Sequence, residues 1–233
     1  MYDKPMGGME YRDFNLIQVA ICPSCLFASN QLDCFQRQGR EFTNAPFDAR
    51  ELAKQWPDSL DKRKQMVGEK REWVSSERRT TGQGINSYQL AITTHDALGR
   101  LEANADGEPT HQRKSVSLLM TQAELLMNAG ERKRAEKNLR VVEKRLESLF
   151  SKLENQAGIR AASLLVLIKI YFKAYDNVGP YLNFLKNYSR VRSVAPQSPE
   201  SKALATATRI TTEAWQQRAE YARDALKTFH LPH

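Results

Sequence analysis

The chain has 233 residues, 41% of them hydrophobic, and carries a formal charge of +8 from 35 Lys and Arg against 27 Asp and Glu. That share of apolar residues excludes disorder as the default state, and no run approaches the roughly eighteen apolar residues of a membrane-spanning helix. The length fits one large domain or two small ones.

The opening "MYDKPMGGMEYRD" has neither an apolar h-region nor a small-residue cleavage site. The expected compartment is therefore the cytoplasm, or the periplasm if a leader has been removed. Residues 14–21, "FNLIQVAI", alternate apolar and polar positions and predict a strand. It runs into "CPSC" and then "LFASNQLDC", which together hold all three cysteines, Cys22, Cys25 and Cys34. A strand entering Cys-Pro-x-Cys has the form of one half of a zinc knuckle.

Helical signals follow. Asp48 with Glu51 forms a capping-box pattern ahead of "ARELAKQW". Pro57 stops that helix, and "DSLDKRKQ" restarts one. Leu60, Val67 and Val74 mark a thin stripe interrupted by Gly68, and "TTGQGINS" predicts a loop. Tyr88, Ile92, His95, Leu98 and Leu101 share one helical face; Thr110 is the expected N-cap of the next helix. Its stripe is Val116, Leu119, Ala123, Leu126 and Met127, closed by "NAG". Ala135, Leu139, Val142, Leu146, Leu149 and Leu153 continue the pattern, so Leu126 and Leu139 are expected in the core. "ASLLVLIKIYFKAY" is apolar all round, as a buried helix is. Tyr181, Leu185, Tyr188 and Val191 then line one face. Ser198, Pro199 and Glu200 open a last helix expected to reach about residue 229, with Ala203, Ala207 and Ala214 allowing close approach.

The expected fold is mainly α: antiparallel helical hairpins behind a small strand-containing head. The head is assigned to residues 1–45 and the helical body to 46–233, with repeat-like hairpins over about 111–192 and a long C-terminal helix over about 199–229. The basic excess does not single out nucleic acid. The densest basic stretches, residues 61–79 and 131–147, each mix seven Lys or Arg with four acidic residues, a pattern of solvated helix faces.

In residues 115–146, Ala123, Gly130 and Ala135 take small-residue positions and Leu119, Leu126 and Leu139 take large ones. This arrangement resembles a tetratricopeptide repeat, and residues 160–192 resemble it in outline. The order of parts (a strand into "CPSC", then "ASNQLDCF", a helical middle and a repeat-like hairpin) is similar to a bacterial family of unknown function. That family places a zinc-ribbon-like head before tetratricopeptide-like helices. The chain departs from it in having no earlier CxxC, since no cysteine precedes Cys22. A looser likeness is to all-helical proteins of the spirochaete periplasmic flagellar sheath and collar. The resemblance implies a structural or assembly role.

A structural zinc site takes four ligands, mostly thiolate and imidazole. The candidates are Cys22, Cys25 and Cys34, with His95, His111, His230 or His233 as the fourth. His95 lies on an apolar stripe as core histidines do, His111 is expected exposed at a helix start, and His230 and His233 lie in the tail. Three states stay open for the cysteines: zinc completed by a histidine or a partner, a Cys22–Cys25 disulfide, or reduced remnants of a lost knuckle. The remnant is favoured, so no cofactor is expected, with one structural zinc as the alternative. No βαβ context supports a thioredoxin-like role. No phosphate-binding loop, HExxH, GxSxG or EF-hand occurs either, so no enzyme is expected. The expected function is a scaffold that binds other proteins, against the alternative of a zinc-headed nucleic-acid adaptor. Tyr181, Phe184, Tyr188, Trp215 and Tyr221 are its candidate contact residues, with packing between helices as the competing use.

Overall fold

The computed structural model describes residues 14–35, 49–69, 71–76, 78–102, 109–191, 195 and 197–218. Helical periodicity becomes eight α-helices among them: α1 Ala49–Gln55, α2 Leu60–Val67, α3 Thr81–Glu102, α4 Thr110–Asn128, α5 Arg132–Leu149, α6 Asn155–Tyr171, α7 Gly179–Val191 and α8 Pro199–Gln216. The only sheet described is an antiparallel pair, β1 Ala20–Ile21 and β2 Ala28–Ser29, with Ala20 opposite Ser29 and Ile21 opposite Ala28. The fold is mainly α.

Two compact units divide the chain, residues 1–138 and 139–233, and the boundary falls inside α5 rather than after residue 45. A sheet with two residues per strand has too little apolar surface to stand alone. The cysteine hairpin is therefore part of the first unit, with β2 packed against α3.

The strand expected over residues 14–21 is mostly absent. Phe14–Leu16 form a helical turn, closed by the Ile17 N–H donating to the Phe14 carbonyl at 3.1 Å, and Phe14 is 68% exposed. Leu16 sits directly on α3 at Gly84, where a Cβ would come within 2.6 Å of its Cδ2. That contact pulls the segment out of an extended course before Ala20.

The predicted loop at "TTGQGINS" is instead the first turns of α3. The Gln83 N–H donates to Thr80 Oγ1 at 3.3 Å, and the Thr80 N–H donates to Gln83 Oε1 at 2.9 Å. This is a reciprocal capping box, and it outweighs the two glycines that follow Thr81.

Thr110 is not the cap of α4. The preceding Pro109 gives no side-chain cap, and the acceptor comes from the end of α3. The Glu102 carboxylate receives the N–H groups of Thr110 at 2.7 Å, His111 at 2.9 Å and Gln112 at 3.4 Å. A carboxylate there satisfies orphan donors and meets the positive end of the helix dipole. Glu102→Ala is expected to cost about 1–2 kcal/mol of unfolding free energy in urea titrations. A loss below a few tenths would show that water serves these donors equally well.

Two helices end in the same left-handed cap. After α4, Glu131 N–H reaches the Leu126 carbonyl at 2.8 Å and Gly130 N–H the Met127 carbonyl at 2.9 Å, with Gly130 at φ +78°. After α6, Ala174 N–H reaches Lys169 at 2.8 Å and Lys173 N–H reaches Ile170 at 3.0 Å, with Lys173 at φ +57°. Glycine suits this position because it has no Cβ to clash. A side chain in this conformation costs about 1–2 kcal/mol, more than the roughly 0.5–1 kcal/mol entropy penalty of glycine. Lys173→Gly is thus expected to stabilise the protein by about 0.5–1 kcal/mol, and a lower melting temperature would contradict the argument.

Leu126 and Leu139 are buried, as expected. In the second unit α6 is buried nearly all round and packs with α7 and α8. Ala207 joins Ile159, Ala162 and Leu185, and Ala214 joins Val166, Leu167 and Ile170, which lets α8 lie close against α6. Ser198 caps α8 by accepting from the Ser201 N–H at 3.0 Å. The Asp48 cap, Tyr221, His230, His233 and the expected stretch of the last helix beyond residue 218 lie outside the described residues.

Candidate functional site

Cys22 and Cys25 lie at the tip of the β1–β2 hairpin. Cys22 N–H donates to the Phe27 carbonyl at 2.8 Å, and Leu26 N–H donates to the Cys22 carbonyl at 2.9 Å. Leu26 pays for this tight turn with φ +56° and is buried in return. The Cys22 and Cys25 side chains are hydrogen-bond neighbours, both half-buried, and Pro23 and Ser24 between them are exposed. For Cys22, burial raises the thiol, but the backbone N–H groups of Cys25 and Ser24 aimed at its sulfur outweigh this and hold it below the usual cysteine value. For Cys25, burial and then the neighbouring Cys22 push it above.

Helices α1 and α2 brace the tip from below. The Trp56 indole N–H donates to the Cys25 carbonyl at 3.0 Å, and Arg63 Nε donates to the same oxygen at 3.3 Å. The Arg63 guanidinium also bonds the Trp56 carbonyl at 2.8 Å and the Ser59 hydroxyl, and lies 3.7 Å from the centre of the Trp56 ring. Arg63 is buried, and among the described residues its charge is held by carbonyl oxygens and an aromatic face.

Cys34 is buried beneath this pair, in a core against which Cys22 and Cys25 also pack. It shares that core with Phe27, Leu52, Trp56, Ala97 and Leu98, and the Ser29 hydroxyl meets its sulfur at 3.6 Å. Ser29 Oγ also lies 3.2 Å from His95 Nε2, and His95 Nδ1 lies 3.2 Å from His111 Nδ1. A tautomer in which His95 Nε2–H donates to Ser29 lets the serine hydroxyl donate to Cys34, while His111 donates to His95 Nδ1. Every group in the chain Cys34–Ser29–His95–His111 then has a partner. His111, expected exposed, is 4% exposed because this bond and the Glu102 cap hold it inward. Burial, reinforced by His111 and Lys114 and opposed by Asp96, lowers His95 to about 3. Burial also lowers the nearby Lys114 ammonium, with Cys34 opposing.

The four sequence candidates for metal thus divide into a surface thiol pair and a buried cysteine–histidine chain. No three His, Cys, Asp or Glu side chains converge as ligands among the described residues. Both His95 ring nitrogens already have partners. Among the described residues, then, these donors do not converge on one tetrahedral shell.

The aromatic candidates of the second unit range from buried to half-buried. Tyr188 is buried, with its hydroxyl on Glu200. Tyr181 and Phe184 stack edge-on against Phe150 at centroid distances of 5.2 and 5.0 Å. Trp215 packs beside Tyr175 at 6.0 Å. Tyr188 is part of the core, and Tyr181, Phe184 and Trp215 are half-buried against it.

Ser29, Thr94, Trp56, Arg63 and Lys114 were not singled out by the sequence. Polar Thr94 and His95 among the apolar positions of α3 were the one available signal. No helix of the described chain is long and apolar enough to cross a membrane. No protein-family model matches the chain, and neither a curated protein nor a solved structure is significantly similar to it.

Proposed function

We propose that this chain is a non-enzymatic helical scaffold that binds other proteins in a structural or assembly complex. The observation that supports it best is the repeated construction of its helix ends. The turns after α4 and α6 use the same pair of backbone hydrogen bonds around one left-handed residue. Stacked helical units are how helical-repeat proteins build extended surfaces for partners. The outer side of α5 is charged, and pairs such as Arg132–Glu136 at 2.9 Å keep it hydrated between encounters.

Affinity capture of the full chain from its source cells, with chemical cross-linking, tests this. Protein partners that survive nuclease digestion and cross-link to residues 109–218 are the expected result. Captured nucleic acid whose binding falls steeply with salt would replace the scaffold by the adaptor.

A further inference from the structure

We propose that Cys22 and Cys25 form a reversible dithiol–disulfide couple that exchanges with low-molecular-weight disulfides, and that Trp56 reports its state. The juxtaposition carries the inference. The two cysteines sit three residues apart in one tight turn, closed by Leu26 N–H on the Cys22 carbonyl at 2.9 Å and Cys22 N–H on the Phe27 carbonyl at 2.8 Å, and that turn is open to solvent at Pro23 and Ser24. The Cys22 thiol, lowered from its ordinary value, is the readier of the two to give the thiolate that disulfide exchange needs. The third thiol, Cys34, is buried in the core, so a disulfide arriving from solvent meets the pair first.

The chemistry closes in two displacements. The Cys22 thiolate attacks one sulfur of a disulfide RSSR, forming a Cys22–SR bond and releasing RS⁻, which takes up the proton that Cys22 lost. Cys25 gives its proton to water and attacks the Cys22 sulfur, breaking the Cys22–SR bond and releasing the second thiol. Two electrons pass from the cysteine pair to RSSR, which leaves as two RSH. The backbone consequence falls on the Cys25 carbonyl, which holds both the Trp56 indole N–H and Arg63 Nε.

Equilibrating the full chain in glutathione buffers of graded redox ratio, followed by acid quench and thiol alkylation, reads the couple directly. The expected result is an intramolecular Cys22–Cys25 bridge that dithiothreitol reverses, with Cys34 alkylated only after unfolding. A change in tryptophan fluorescence should follow the same titration and disappear in Trp56→Phe. Cys25→Ser should accumulate glutathione on Cys22, whereas Cys22→Ser should form no bridge. Native alkylation rates of the unmodified chain need no variant: Cys22 is expected fastest and Cys34 slowest. A pair that stays reduced at every glutathione ratio, or a bridge that includes Cys34, overturns the proposal.

Discussion

Lys169→Ala is expected to be among the most destabilising single substitutions in the second unit, at about 3–5 kcal/mol, because it strands a buried carboxylate. Lys169 is 3% exposed, and its ammonium lies 3.0 Å from Glu143 and 2.6 Å from Glu147. Glu147 is exposed and can return to water; Glu143 is buried and cannot. Arg140 still holds the second Glu143 oxygen at 3.0 Å, which favours the lower end of that range. Burial pulls the Lys169 ammonium down, but the hydrogen bonds to Glu147 and Glu143 outweigh it and raise the group above the ordinary lysine value. A raised lysine contributes its stability in full below the unfolded pKa and loses it as pH climbs through the folded one, so the contribution is complete at neutral pH. Removing both charges as Lys169→Met with Glu143→Met should recover most of the loss, since a matched apolar pair strands no ion. Urea unfolding of the single and double variants decides the matter. A single-variant cost below about 1 kcal/mol would mean that the pair behaves as a solvent-screened one.

Acid should unfold the first unit through His95. This ring is 0% exposed and its pKa is lowered to about 3, whereas the unfolded chain protonates it near 6.5. Between those values the unfolded state binds a proton that the folded state refuses, so stability falls as pH falls. The slope reaches about 1.4 kcal/mol per pH unit, and the whole window amounts to about 3–5 kcal/mol. Below the folded pKa the effect levels off. Ser29, His111, Lys114 and Asp96 surround the ring, and only Asp96 favours its charged form. Unfolding free energies measured from pH 7 to pH 4 for the unmodified chain and His95→Gln test the claim. The variant starts less stable but should lose less on acidification, and parallel curves would remove His95 as the cause.

Where a helix announced itself through local chemistry, the sequence was sufficient. Ser198-Pro199-Glu200 opens α8 as written, and the stripe from Ala135 to Leu153 is buried throughout. The start of α3 was equally local, because Thr80 and Gln83 stand at capping-box spacing, but two glycines drew attention to the loop instead. Other features could not be read because their partners are remote. Glu102 displaces Thr110 as the cap of α4 from eight residues away. Ser29 meets His95 across 66 residues, and Trp56 reaches Cys25 across 31. Periodicity puts a residue on a face but does not say what comes to meet that face. That is why His111, polar and next to a helix start, looked exposed.

The long span from Ser29 to His95 has a consequence during synthesis. Ala28 N–H ends on Thr94 Oγ1 at 3.1 Å and Ser29 Oγ on His95 at 3.2 Å, each across 66 residues. A ribosome adding about 5–20 residues per second needs roughly 3–13 s to make that distance. For that interval the hairpin has no α3 to lie on, and a two-stranded ribbon in water is marginal at best. All three thiols then wait unshielded, including Cys34, which the finished core covers. The redox conditions met by the nascent chain therefore act on a different set of sulfurs from those met by the mature protein.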